Sequence, residues 1–330
     1  MRPLDRRHLL GLETLPVSEI RALMDASRAH AEWLEGGAVK GDSLRGRLVL
    51  LGFFESSTRT RVSFEAAAKR LGADTITIGT SGSSLDKGES LLDTAWTLES
   101  LGADCMVVRH PRSGAPQDLA SRLSRMALVN GGDGSHEHPT QALLDLFTMT
   151  RHGLDPSGLR VAVIGDVTHS RVARSNLYAL TALGATVVVC GPATMIPSGL
   201  EALARRPGRV EVVARLEEAL EGAAAVIVLR LQRERQEQGL LPSLSEYARL
   251  YQITPERLTR WAPGALVLHP GPMNRGVEID SRVADGPRSV IREQVTAGMA
   301  VRCAVLERAC GVGAWAESER AETMLVGGRR

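Results

Sequence analysis

Aromatic residues are scarce: four Phe, four Trp and three Tyr in 330 residues. That is too few for a surface on which unpaired bases stack, so no nucleic-acid partner is expected. An excess of charge is also missing. A net charge of +2 provides no basic field of the kind that gathers a phosphate backbone. No apolar run reaches membrane-spanning length, and the N-terminus lacks a continuous apolar h-region. Neither a membrane partner nor a secretory leader is therefore expected. Cysteine is limited to Cys105, Cys190, Cys303 and Cys310, with no C-x-x-C pair. Thiols dispersed in this way suit neither a disulfide frame nor a zinc site. They read as buried thiols of a reducing, cytoplasmic protein.

What the chain does have is length and alternation. At 330 residues it exceeds one typical core and suggests two domains. Short apolar runs at 48–53, 75–78, 105–108 and 127–130 alternate with helical patterns at 63–71, 90–101 and 117–125. A helix over 138–151 leads into the turn-rich Gly153-Leu154-Asp155-Pro156-Ser157-Gly158, the expected hinge. The alternation then restarts, with strands at 160–164, 186–190, 210–213, 224–229 and 266–269 and helices at 171–183 and 216–221. An amphipathic helix over 294–310 closes the pattern, and 313–330 reads as a flexible tail. The expected class is α/β: two domains, 1–150 and 151–291, each a parallel-type sheet flanked by helices. Residues 79–88, small and polar, read as an exposed loop.

Chemistry concentrates first at Glu55-Ser56-Ser57-Thr58-Arg59-Thr60-Arg61, between the apolar run 48–51 and a helical stretch ending at Gly72. Ser57, Thr58, Arg59 and Thr60 thus stand where a strand turns into a helix. Free N–H groups and the positive end of the macrodipole point outward there. Hydroxyls and a guanidinium at that place suit a phosphate dianion, although an ordinary Ser/Thr cap beside a solvated arginine has the same local pattern. Arg109 follows the apolar Met106-Val107-Val108, at the strand end where open α/β sheets place ligands. His138 precedes Pro139, and Gln141 lies one turn on along the same helix face. His136 and His138 lack a supporting ligand set for a metal. The run Arg160-Val161-Ala162-Val163-Ile164-Gly165-Asp166 resembles the opening of a dinucleotide fold, but the further glycines are absent. Arg171 opens the next helix, Arg230 and Gln232 leave a strand, and His269-Pro270-Gly271-Pro272 forms a rigid turn after another.

Together and in this order, these segments resemble the catalytic chains of the aspartate carbamoyltransferases, in the aspartate/ornithine carbamoyltransferase family. The resemblance runs from the N-terminus to about residue 310. It implies carbamoyl transfer from carbamoyl phosphate to L-aspartate, giving N-carbamoyl-L-aspartate and phosphate, the committed step of pyrimidine synthesis. No cofactor or metal is implied, because the acyl phosphate is already activated. Carbamoyl phosphate would bind Ser57, Thr58, Arg59, Thr60, Arg109, His138, Gln141, Gly271 and Pro272, with Arg59, Thr60, Arg109 and His138 catalytic. The resemblance also implies a cis peptide before Pro272, and a last helix, about 292–312, that returns to the first domain.

L-Aspartate would be held by Lys87, Arg171, Arg230 and Gln232, since several cations match a dicarboxylate and would repel ornithine. Family trimers imply that Lys87 and one of Ser83 and Ser84 act on the site of the adjacent subunit. Larger assemblies with regulatory or dihydroorotase-like chains are compatible with the sequence. Relative to the best-known pattern of the family, Asp86 replaces a second lysine and Gly271 replaces a leucine; neither removes a required charge. Arg233, Glu234 and Arg235 read as a solvated loop. A carbamoyltransferase for another amine, such as ornithine, and a non-catalytic scaffold are the alternatives.

Overall fold

The computed structural model describes residues 5–37, 39–79, 88–232, 243–313 and 315. The chain forms two compact units. The first comprises Met1–Leu10, Ala22–Gly134 and Gly298–Arg330, and the second Gly11–Arg21 and Ser135–Ala297. Ser83, Ser84 and Lys87, and the charged run Arg233, Glu234 and Arg235, lie outside the described residues.

The first unit is built on β1 (Leu48–Phe53), β2 (Asp74–Gly79), β3 (Cys105–His110) and β4 (Ala127–Asp133), in the order β2-β1-β3-β4. All neighbours are parallel. The central strands β1 and β3 are almost continuously buried, as in a covered parallel sheet, and so is the edge strand β4, whose Val129 bridges to Leu9. β2 is the other edge, half of its residues exposed and none buried. Helices α1 (Val17–Glu35), α2 (Thr58–Arg70), α3 (Leu91–Ser100) and α4 (Ala115–Ala120) fall in this stretch of chain. The helix expected over 117–125 is displaced and short. The Glu99 carboxylate accepts the backbone N–H groups of Ser124, Arg125 and Met126 and ties that segment into a turn.

The second unit repeats the plan with β5 (Arg160–Ile164), β6 (Thr186–Cys190), β7 (Arg209–Val213), β8 (Ala225–Val228) and β9 (Leu266–Leu268). The order is β7-β6-β5-β8-β9, again all parallel. α5 (Pro139–Arg151) and α6 (Arg171–Ala182) are buried along nearly their whole length. They are joined by the Asn176 side-chain amide, which donates to Asp145. By packing, α5 belongs to the second unit, whereas the chain boundary expected from the turn-rich 153–158 follows it. A hinge read from Gly and Pro marks where the backbone turns; it carries no information about which sheet a helix packs on. Further along come α7 (Leu216–Leu220), α8 (Leu244–Tyr251), α9 (Pro255–Trp261) and α10 (Ser281–Ala284).

The last helix, α11 (Ile291–Cys310), begins in the second unit and belongs to the first from Gly298 onward. Within the first unit Arg308 donates to the carbonyls of Arg7 and His8, and His30 pairs with Glu307 at 2.9 Å. All four cysteines are free thiols and buried. Among the described residues no helix is long and apolar enough to cross a membrane.

Candidate active site

Each sheet reverses its order once, and each reversal opens a crevice at the C-terminal ends of two strands. In the first unit that point lies between β1 and β3. β1 runs out into Glu55-Ser56-Ser57, and α2 starts at Thr58. Ser57 occupies the cap position with φ −160° and makes no side-chain cap bond. The bland reading of this serine as a side-chain helix cap is therefore not realised. Thr58 and Arg59 are exposed, Ser57 is half-buried, and Thr60 is buried one residue further into the helix.

Across the crevice stands Arg109, paired in register with Phe53 and only 12% exposed. Its Nη2 donates to Glu55 Oε1 at 2.8 Å and its Nη1 to the Gly131 carbonyl at 3.1 Å. Gly131 packs closely there: a Cβ would meet the Val107 Cγ1 at a tight 3.2 Å and the Arg109 Cβ at an ordinary 3.6 Å. Glu55, which spacing alone did not single out, thus holds the guanidinium by one edge. An acid directly before a run of hydroxyls was the available signal.

In the second unit the reversal lies between β5 and β8. Leu229 N–H donates to the Ile164 carbonyl at 2.8 Å, so the two strand ends stay together to their last residues. Arg171 emerges after β5 as the first residue of α6 and is buried, at 3% exposure. A cation at a helix start opposes the macrodipole, and burial raises that cost, so this placement does not serve helix stability. Arg230 and Gln232 leave β8, both half-buried. Gly165, read above as a dinucleotide-like feature, has a packing role. It takes φ +127°, and a Cβ there would come 2.9 Å from the Tyr247 hydroxyl and 3.3 Å from Leu229.

His138 and Gln141 sit at the start of α5, both buried. His138 N–H donates to Ser175 Oγ at 2.8 Å, and Ser175 in turn donates to Glu137 at 2.8 Å. Glu137 also accepts the Leu12 N–H, and burial pushes its carboxyl up from the usual range against those bonds. The backbone of His138 is thereby pinned to α6.

The turn after β9 is organised around His269. Its Nδ1 accepts the Gly271 N–H at 2.8 Å, so the ring proton is on Nε2, 3.2 Å from Glu278. The Gly271–Pro272 peptide is cis, and Gly271 takes φ +61°. Glu278 also accepts the Asn274 N–H, while the Asn274 side chain donates to the Leu231 carbonyl, between Arg230 and Gln232. Gln294 of α11 accepts the His269 N–H and donates to Asp145, which also receives Gln141 and Asn176. One hydrogen-bonded chain thus runs from the β8 exit, through the proline turn, to the amide of Gln141. Asp145, Ser175, Asn176, Glu278 and Gln294 escaped sequence reasoning. The signal was an aspartate inside the apolar run Ala142-Leu143-Leu144-Asp145-Leu146-Phe147.

The arrangement defines a class: an α/β protein of two parallel sheets, with arginines at the switch point of each and hydroxyls at a helix start in the first, equipped to bind small anions and to stabilise charge on oxygen. Residues 7–151 match the family model for the aspartate/ornithine carbamoyltransferase carbamoyl-P binding domain, and residues 157–309 that for the Asp/Orn binding domain. The chain belongs to the aspartate/ornithine carbamoyltransferase family. It is 54% identical to the aspartate carbamoyltransferase catalytic subunit of Moorella thermoacetica over 92% of its own length and 97% of that protein's. To the corresponding subunit of Granulibacter bethesdensis it is 53% identical, over 92% and 94%.

Among solved structures it is similar to aspartate transcarbamoylase from Trypanosoma cruzi in complex with carbamoyl aspartate and phosphate. There the TM-score is 0.82 at 31% identity, over 92% of this chain and 96% of that one. It is also similar to ornithine carbamoyltransferase from Pyrococcus furiosus, with TM-score 0.83 at 27% identity, over 93% and 98%.

Proposed function

We propose that this chain is an enzyme that transfers the carbamoyl group of carbamoyl phosphate to the amine of L-aspartate, releasing N-carbamoyl-L-aspartate and phosphate for pyrimidine synthesis. The observation that carries the reading is the placement of the expected cations. Arg109 falls at the switch point of the first sheet, and Arg171 and Arg230 at that of the second. Backbone similarity alone does not choose the amine, since an aspartate and an ornithine enzyme superpose equally well. The choice rests on charge and on the relatives. Two arginines suit a dicarboxylate and repel a cationic side chain, and curated relatives at 50–54% identity are aspartate enzymes.

In this reading residues 1–150 with about 292–312 bind carbamoyl phosphate, and 151–291 bind aspartate. Ser57, Thr58, Arg59 and Thr60 take the phosphate at the α2 N-terminus, and Arg109 bridges phosphate and carbamoyl oxygen. His138 donates to that oxygen as it becomes negative, Gln141 accepts from the carbamoyl NH2, and Gly271 and Pro272 complete its cradle. Arg171, Arg230 and Gln232 hold the aspartate carboxylates. The deprotonated aspartate amine attacks the carbamoyl carbon, a C–N bond forms, and a tetrahedral oxyanion results. The C–O bond to phosphate then breaks, and the departing phosphate takes the amine proton. Orientation and electrostatic preorganisation carry the acceleration. The proposed assembly is a cytoplasmic homotrimer in which Lys87 and Ser83 or Ser84 of one chain serve its neighbour.

The test is phosphate release by the purified chain with carbamoyl phosphate and either L-aspartate or L-ornithine, with the product identified by mass. Carbamoyl aspartate as the main product is expected. Citrulline, or no phosphate release with either amine, would overturn the reading.

A further inference from the structure

Asp145 lies at the centre of α5, fully buried, and no cation is among its partners. Three amides converge on it instead. Its Oδ1 accepts from Gln141 Nε2 at 2.9 Å and from Gln294 Nε2 at 2.7 Å, and its Oδ2 accepts from Asn176 Nδ2 at 2.9 Å. An ionised carboxylate only accepts hydrogen bonds. Each of the three amides must therefore turn its NH2 toward Asp145, and rotating any of them by 180° would set oxygen against oxygen. For Gln294 the consequence is visible, since its Oε1 takes the His269 N–H at 2.9 Å and ties down the proline turn. For Gln141 the consequence is chemical: its Oε1 becomes the acceptor on the opposite side of the amide, the polarity needed to receive an NH2 group.

We propose that Asp145 is a positioning residue for carbamoyl transfer, which orients the Gln141 amide as an acceptor for the carbamoyl NH2 and, through Gln294, holds the His269–Pro272 turn in place. This rests on the reading of Gln141 and the proline turn as carbamoyl contacts. A carboxylate serves this purpose better than an amide or an apolar group. Its two oxygens reject the flipped orientation of all three amides at once, whereas an asparagine would set its own NH2 against that of Asn176, and an apolar residue would leave the NH2 groups of Gln141 and Gln294 without this acceptor. Asp145 is also a poor choice for stability alone, because burial raises its pKa to about 6 despite the three bonds. The groups that face it from α5, α6 and α11 are the neutral Gln141, Asn176 and Gln294, and the titratable pair that the network reaches beyond Gln294 is His269–Glu278.

The test compares wild type, Asp145→Asn, Asp145→Leu, Gln141→Ala and the double variant Gln141→Ala/Asp145→Leu by steady-state kinetics with carbamoyl phosphate and aspartate, after thermal melting has established which variants fold. Asp145→Leu should lower kcat by roughly tenfold or more, as expected when a reacting group is misplaced, with the KM for aspartate changed much less. Asp145→Asn should recover most of the rate, since its carbonyl can still accept from Gln141 and Gln294. In the Gln141→Ala background the leucine substitution should cost clearly less than in wild type, because much of its effect passes through Gln141.

A folded Asp145→Leu with native kcat, an Asp145→Asn as slow as the leucine variant, or full additivity in the cycle would overturn the proposal. Should Asp145→Leu not fold, the ratio of wild-type to Asp145→Asn kcat decides. It should fall as the pH drops through about 6, where the carboxylate gains a proton and turns one acceptor into a donor. A flat ratio would overturn it. A wild-type chain that makes no carbamoyl aspartate refutes the functional reading, whereas an active wild type with an indifferent Asp145 refutes only this inference.

Discussion

Replacing Asp145 by Asn has a thermodynamic consequence whose sign and size follow from its surroundings. Burial dominates its titration and raises the carboxyl from 3.8 to about 6, while the three amide donors act in the opposite direction. A folded-state pKa above the unfolded one means that the native chain holds the proton more tightly. Between about pH 4 and pH 6 the unfolded chain has already released it and the native chain has not. Stability contributed by this group is therefore full below the unfolded pKa and declines as pH rises through that window. A shift of about two units corresponds to ~3 kcal/mol by neutral pH.

Asparagine cannot ionise and removes this loss. It introduces a smaller one, because its NH2 would face the Asn176 NH2, and one mismatched buried bond costs ~1–2 kcal/mol. Asp145→Asn should thus be at least as stable as wild type near pH 7.5, by up to about 2 kcal/mol, with the advantage vanishing toward pH 4. Chemical denaturation of both proteins at several pH values between these limits measures it. A variant that is less stable at pH 7.5 by more than about 1 kcal/mol, or a stability difference that does not change with pH, would refute the reasoning.

The other expectations concern the substrate contacts. Arg109→Ala should lower kcat by at least about a hundredfold, the scale of one lost preorganised charge contact, while the chain stays folded by circular dichroism; near-native turnover would remove Arg109 from the chemistry. His138→Ala should reduce kcat strongly and carbamoyl phosphate affinity less, because its donor strengthens only as charge develops on the oxygen; a rise confined to the KM for aspartate would move His138 to the acceptor site. Arg230→Ala should weaken aspartate binding far more than carbamoyl phosphate binding in calorimetry, and equal weakening of both would contradict the division of labour. Lys87→Ala and Arg59→Ala chains, each inactive alone, should regain part of the native activity when mixed and reassembled; silent hybrids of confirmed composition would show that Lys87 serves its own chain.

How far the sequence was readable varied with the kind of evidence in it. Short apolar runs between Gly- and Pro-rich turns placed β1, β5 and β6 to the residue, because strands buried on both faces leave a continuous hydrophobic mark. β4 was read three residues short, since its end, Gly131-Gly132-Asp133, continues the ladder with residues that carry no strand propensity. α1, α8 and α9 went unread. The helical stretch expected at 117–125 was shortened by Glu99, whose effect on Ser124–Met126 depends on a residue some 25 positions away.

The sequence by itself determined the alternation of strands and helices, and hence two parallel sheets. It also determined the chemical types available: hydroxyls and an arginine at a helix start, arginines at strand ends, and a rigid proline turn. Those depend on local propensity and on the rule that parallel strands open toward ligands at their C-terminal ends. Only the tertiary structure decided which partners orient them: Glu55 on Arg109, Ser175 under His138, and Asp145 against Gln141 and Gln294. Gln294 lies 149 positions from Asp145 along the chain. No local pattern encodes that meeting, which exists because packing has already removed water from three amides and one carboxylate and set the amide donors against the carboxylate.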